Sequence, residues 1–289
     1  MRRRRGLIVV DLVVFWAVLA AAFLHAGWNA LVKVGLDRFL SIVLLGLVQS
    51  AIAILLIPFF PPPSAASRPW IVASAALHTG YKLFLIRAYA HGDLSQVYPL
   101  ARGTAPLIVA IIGALWLGET VTVAKAAAIA AIGLGVILMA LKGGTALSRI
   151  PPKALLYALC TAGFTAAYTV VDGVGARLSG TASGYTLWMF ALDGLAVGVL
   201  AFAMRGPAML APMLGAWKSG VLAGVMSLAA YWIAIWGFTK APIALVAALR
   251  ETSVLFALLI AAIAMREPVG PWRWGAAGLI VTGVVLMRL

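Results

Sequence analysis

The chain has 289 residues, 64% of them hydrophobic and only 10% charged, with a mean hydropathy of +1.07. Soluble domains carry about 25% charged residues, so this chain has too little polar surface to stay in water and is read as a polytopic membrane protein. The formal net charge of +14 does not point to nucleic acid. Beyond Arg2–Arg5 the basic residues fall singly at the ends of apolar runs, with no basic stripe interleaved with aromatics.

A spanning helix needs about 20 mostly apolar residues, and cutting at Pro- and Gly-rich turns predicts ten such spans in chain order. The first, 8–32, follows the four arginines and is far longer than the roughly 7–15-residue core of a signal peptide, so it is read as a retained span. It carries His25, Trp28 and Asn29. The second, 39–60, ends at the proline cluster "PFFPPPSAASRP". The third, 70–90, places His78 and Lys82 one helical turn apart, with Tyr81 beside them.

On the fourth span, 94–117, Tyr98 and Arg102 are again one turn apart. Pro106 removes the hydrogen bond to the carbonyl of Arg102, since a proline has no N–H to donate four residues back. The turn "GET" leads into the fifth span, 121–141. The sixth, 153–175, carries Thr161, Thr165, Tyr168 and Asp172 along one stripe, and the lone Cys160 as a small apolar residue. The seventh and eighth, 184–204 and 216–238, contain "GLAVG" and "GVLAG", a spacing that lets helix backbones approach closely. The ninth, 243–265, carries the adjacent pair Arg250 and Glu251, and the tenth is 271–288.

Lys33, Arg87, Lys125 and Lys142 lie near span ends, where long side chains reach the interface. Lys82, Arg102, Arg250 and Glu251 do not. Each such ion costs about 2.5–3.5 kcal/mol at a helix centre, so a hydrated central cavity is expected around them. Neighbouring residues of a continuous helix point about 100° apart. Either one faces the cavity and the other a neighbouring helix, or the two flank its edge; because Arg250 aligns with Arg102 and Glu251 with Gly103, Arg250 is expected to face the cavity. An intramembrane enzyme is disfavoured: one cysteine precludes a disulfide or a multi-cysteine metal site, "SGTASG" lacks the G-x-S-x-G pattern, and nothing asks for a cofactor.

The two halves repeat. "LARGTAPLIVAIIGALWLGET" aligns without a gap with "ALRETSVLFALLIAAIAMREP", Arg102 under Arg250 and Glu119 under Glu267, at a constant offset (250 − 102 = 148). The same offset brings Gly135 under Gly283 and Met139 under Met287. "HAGWNA" lies over "TAGFTA" at a second offset (163 − 27 = 136), so spans one to five correspond to spans six to ten. Five is odd, which predicts an inverted-topology repeat with a site near midplane between the halves. The predicted organisation is thus all-α, ten transmembrane helices, with repeats at 7–141 and 153–288.

"PLIVAIIGALWLGETVTVAKAAAIAAIGLGVILM" and "VLFALLIAAIAMREPVGPWRWGAAGLIVTGVVLM" resemble the EamA repeats of the drug/metabolite transporter superfamily, each closing with Glu at a short turn before a Gly-rich helix. The second departs from the pattern, with "MREP" for the usual Leu-Gly-Glu. Among ten-helix members the chain is most similar to the YddG-type amino-acid exporters. That resemblance implies a cavity lined by helices one, three, four, six, eight and nine. Small multidrug transporters place a Glu in their first helix; this chain has only Asp11, near its start.

The expectation that follows is an inner-membrane exporter of amino acids, large or aromatic ones included, or of similar zwitterions. Its partners would be a small-molecule substrate and the lipid bilayer, with no nucleic acid. Arg102, Arg250 and Lys82 would receive the carboxylate, and Glu251 either the ammonium or, in the empty state, the charge of Arg250, with Trp28, Asn29, His78, Tyr98 and Tyr168 completing the site. The alternative within transport is a carrier of anionic, phosphate- or phosphonate-bearing metabolites; the distant one is an intramembrane enzyme or scaffold. Arg2–Arg5 argue for a cytoplasmic N-terminus, although lysines and arginines are nearly balanced between the two faces.

Overall fold

The computed structural model describes residues 11–32, 36–91, 94–119, 121–141, 150–264, 266 and 269–288. It is a bundle of helices: α1 Leu12–Val32, α2 Arg38–Leu56, α3 Arg68–His91, α4 Leu94–Leu115, α5 Val123–Ala140 and α6 Pro152–Leu178. The chain continues with α7 Ala182–Arg205, the short α8 Leu210–Gly215, α9 Trp217–Phe238, α10 Ile243–Arg250, α11 Ser253–Leu259 and α12 Pro271–Leu286. Helix starts follow local chemistry. Asp37 accepts from the Leu40 N–H at 3.0 Å, and Thr181 from the Gly184 N–H at 3.1 Å. Gly206 ends α7 at φ +63°, a conformation open to glycine.

Among the described residues six helical segments are long and apolar enough to cross a membrane: Leu12–Leu31, Phe39–Phe59, Pro152–Leu178, Ala182–Arg205, Trp217–Phe238 and Ile243–Ile263. Two of the remaining predicted spans differ for visible reasons. The α3 helix contains Arg68, Lys82 and Arg87, and α12 is only 16 residues long. The distribution of polarity inverts that of a soluble protein. Leu115, Trp116 and Val199 are more than 70% exposed, while Arg102, Asp172 and Glu251 are at most 5% exposed. This is a multi-pass integral membrane protein.

The packing pairs exchange when the halves are swapped. The α3–α6 contact has its counterpart in α9–α1, α3–α7 in α9–α2, and α4–α6 in α10 and α11 against α1; α2–α7 and α5–α12 map onto themselves. At α5–α12 the exchange is residue for residue. A Cβ on Gly135 would meet Ile280 and the Ala276 carbonyl, and one on Gly283 would meet Ile132 and the Ala128 carbonyl. Each of these contacts maps onto the other by the offset of 148. Because 135 meets 276–280 while 283 meets 128–132, the two helices run antiparallel.

The extensive α4–α5 contact has no counterpart between α10 or α11 and α12, and the sequence explains it. Gly103 brings α4 against α5, where a Cβ would lie 2.7 Å from the Gly133 carbonyl. The second half carries Glu251 in place of that glycine, so α10 and α11 have no equally close approach to α12.

Candidate functional site

The helix carrying Arg250 does not continue past it. The Glu251 N–H bonds to the Ala248 carbonyl at 3.0 Å and the Thr252 N–H to Leu249 at 3.2 Å, three residues back rather than four, and regular helix resumes at Ser253. This tightened turn changes the expected geometry. In a continuous helix Arg250 and Glu251 would diverge; here both are buried, at 8% and 5% exposure. Glu251 Oε2 accepts from Arg102 Nε at 2.8 Å, joining α4 to the break. Arg250 has no carboxylate and no hydrogen bond among the described residues. Its guanidinium lies 4.7 Å from the centroid of the Tyr231 ring.

Tyr231 leads to a second cluster. Its hydroxyl donates to Asp172 Oδ2 at 2.5 Å, Tyr185 donates to Oδ1 at 3.0 Å, and His78 Nε2 lies 3.2 Å from Oδ2. Asp172 is wholly buried, and these three donors, from α9, α7 and α3, satisfy a carboxylate that apolar surroundings would otherwise penalise. The His78 ring stacks on Tyr168 at 4.0 Å, and Tyr168 meets Tyr81 edge-on at 5.6 Å. Elsewhere, Lys82 Nζ is 2.5 Å from Asp193 Oδ2 on α7.

Among the described residues the midhelix ions lie beside one another's charges. Arg102 pairs with Glu251 and Lys82 with Asp193, while Arg250 and Asp172 share Tyr231. The interior looks basic only when Asp172 and Asp193 are left out of the count. Of the sequence-predicted residues, Arg102, Arg250, Glu251, His78 and Tyr168 converge with Tyr231 and Asp172, and Lys82 belongs to the separate pair. On α1, Trp28 packs edge-on against His25 at 5.0 Å, and its buried indole N–H has no partner among the described residues. Asn29 donates to the His25 carbonyl of its own helix. The Tyr98 side chain lies outside the described residues.

Asp193, Tyr185 and Tyr231 escaped the sequence reading. The available signal was charge parity, because each cation deep in an apolar span needs a carboxylate in another span.

A further polar knot closes one end of the bundle. Both Glu119 carboxylate oxygens lie 3.0 Å from the Ile243 N–H, capping α10, and Oε1 also accepts from Arg177 at 2.8 Å. Arg177 in turn donates to the Phe238 and Ala241 carbonyls. Glu119 of the first repeat thus anchors the helix that presents Arg250. Its repeat partner Glu267 lies outside the described residues. Among the described residues no group of His, Cys, Asp and Glu could hold a metal ion.

Residues 12–141 and 152–289 match the EamA-like transporter family. A solved protein crystal structure superposes with a TM-score of 0.71 over 95% of this chain and 94% of its own, at 17% identity, a likeness that speaks for fold alone. No curated protein matches in sequence.

Proposed function

Because the chain belongs to the EamA-like transporter family, whose members are membrane transporters and not enzymes, we propose that it exports amino acids or similar small zwitterions by alternating access. The observation that carries this reading is Arg250. It is a buried guanidinium with its donors uncommitted, in a site where the other deep cations already have carboxylates. Arg250 receives the cargo's carboxylate, the fork geometry of a guanidinium matching the two oxygens. Glu251, next in the chain, takes the ammonium in exchange for Arg102. Trp28 and Tyr168 wall the side chain, and Trp28 offers its unpaired N–H.

Charge parity favours a zwitterion over a phosphate- or phosphonate-bearing anion. Lys82, Arg102 and Arg250 are matched by Asp193, Glu251 and Asp172, so a cargo of no net charge leaves the interior neutral. A dianion would bury charge without a counterion.

The antiparallel, residue-for-residue exchange at α5–α12 supports two inverted repeats, near 7–141 and 153–288. Two equivalent helices running antiparallel are related by an axis across their length, which is an axis in the membrane plane if they span it. In this reading α3, α4, α5 and α12 complete ten spans, in an inner membrane with both termini cytoplasmic. The Glu119–Arg177 knot then closes the cytoplasmic end.

Counterflow into proteoliposomes tests the reading. Neutral amino acids loaded inside are expected to accelerate uptake of labelled amino acid, and Arg250→Gln to abolish it. Acceleration by phosphonates or phosphorylated compounds alone would overturn it.

A further inference from the structure

We propose that His78 is a proton-binding site coupled to cargo binding at Arg250, so that a proton and a carboxylate bind cooperatively. The inference rests on the reading of Arg250 as the carboxylate receptor. Its basis is the way three donors meet on Asp172. Tyr185 serves one oxygen, while Tyr231 and His78 Nε2 share the other. In this arrangement the Asp172 oxygens accept from both tyrosines, and the imidazole presents its Nε2 proton to Oδ2. Nδ1 is then the nitrogen left to take a second proton.

The consequence reaches Arg250 through Tyr231, which touches both groups. With His78 neutral, the charge of Asp172 is answered by Arg250 across the Tyr231 ring. With His78 protonated, Asp172 has its own counterion 3.2 Å away, and Arg250 becomes the uncompensated cation of the interior. Its attraction for a carboxylate rises. Linkage requires the reverse as well: a bound carboxylate strengthens the hold of His78 on its proton by the same factor. No bond other than N–H is made or broken, and the proton comes from the aqueous phase.

The charged and titratable neighbours do not offer a simpler relay. Lys82, one turn along α3, is held by Asp193 of α7. Arg102 of α4 is held by Glu251. Tyr168 of α6 stacks on the imidazole, and Tyr185 of α7 and Tyr231 of α9 point their hydroxyls at Asp172. His25 of α1 lies within the field of both arginines, and is the other imidazole in the region, a side chain whose ordinary titration falls between about pH 5 and 8. It is therefore the control. Tyr185 sits in the first turn of α7, with its hydroxyl 3.4 Å from the Trp70 carbonyl in the first turn of α3.

The chain has only three histidines, so the protonation of each can be followed by NMR of imidazole-labelled protein in lipid nanodiscs, assigned with His25→Gln and His91→Gln. The His78 signal is expected to shift as the ring takes up its second proton. Its midpoint should rise when acetate, a minimal carboxylate probe, is added, and the acetate effect should vanish in Arg250→Gln. In counterflow, the half-saturating amino-acid concentration should fall at least about 5-fold from pH 8 to 5.5 in wild type and His25→Gln, and stay constant in His78→Gln. A His78 signal that does not titrate, a midpoint indifferent to acetate, or a pH slope that survives in His78→Gln would each overturn the proposal. Should no amino acid be exchanged at any pH, the cargo assignment fails by itself, and the acetate titration still decides the coupling.

Discussion

Arg102 and Arg250 occupy equivalent positions in the two repeats, yet their loss should have opposite signatures. At 2.8 Å the Arg102–Glu251 attraction is about 6 kcal/mol at an effective dielectric of 20. Most of that offsets the cost of burying both ions, so the measurable quantity is what remains when one partner is removed. Arg102→Ala leaves Glu251 charged at 5% exposure and should cost about 3–5 kcal/mol of stability. Arg250 makes no direct ion pair among the described residues, and Asp172 faces it only across the Tyr231 ring. Removing Arg250 forfeits a cation–π contact with Tyr231 worth about 0.5–2 kcal/mol, and Asp172 keeps its three donors. Arg250→Ala should therefore unfold close to the wild-type temperature in detergent but fail to exchange cargo. Arg102→Ala should unfold well below it, and the double variant Arg102→Leu/Glu251→Leu should recover most of the loss, because an apolar pair leaves no buried charge. Thermal unfolding and counterflow on the same preparations make the comparison. Equal destabilisation by the two single variants, or full exchange by Arg250→Ala, would refute the division of labour.

The α5–α12 crossing gives a symmetric test of packing. Gly135→Ala and Gly283→Ala place a methyl 2.6 Å from Ile280 and Ile132 respectively, with a carbonyl oxygen behind each, so each should cost about 1–3 kcal/mol. The double variant should cost less than the sum, since the first methyl already separates the helices; strict additivity in thermal unfolding would count against a shared crossing. At the closed end, Glu119→Ala removes the cap on α10 and the partner of Arg177, and should destabilise by about 0.5–2 kcal/mol. A matching loss in Arg177→Ala, with a double variant no worse than either, would be the sign of one knot; independent losses would dissolve it.

Hydropathy placed the helices because lipid exposure demands long apolar runs whatever their partners. The repeat offset, readable from Arg102 to Met139, anticipated the Gly135–Gly283 exchange, since glycine at a crossing is a local steric requirement written into one residue. The Glu251 substitution for Gly103 was equally visible as an asymmetry. Its effect was not. That the helix tightens at Ala248–Thr252 and turns Glu251 inward to Arg102 depends on whether a neighbouring helix offers a glycine surface or a guanidinium. The pairing of charges was hidden for the same reason. Lys82 with Asp193 and Asp172 with His78, Tyr185 and Tyr231 join residues far apart in the chain, and each side chain is unremarkable within its own span. Sequence periodicity reports which face of a helix is polar, whereas the partner on the next helix is set by packing angle and register. Only the assembled bundle decides which buried cation meets a carboxylate directly and which, Arg250, lies against an aromatic ring.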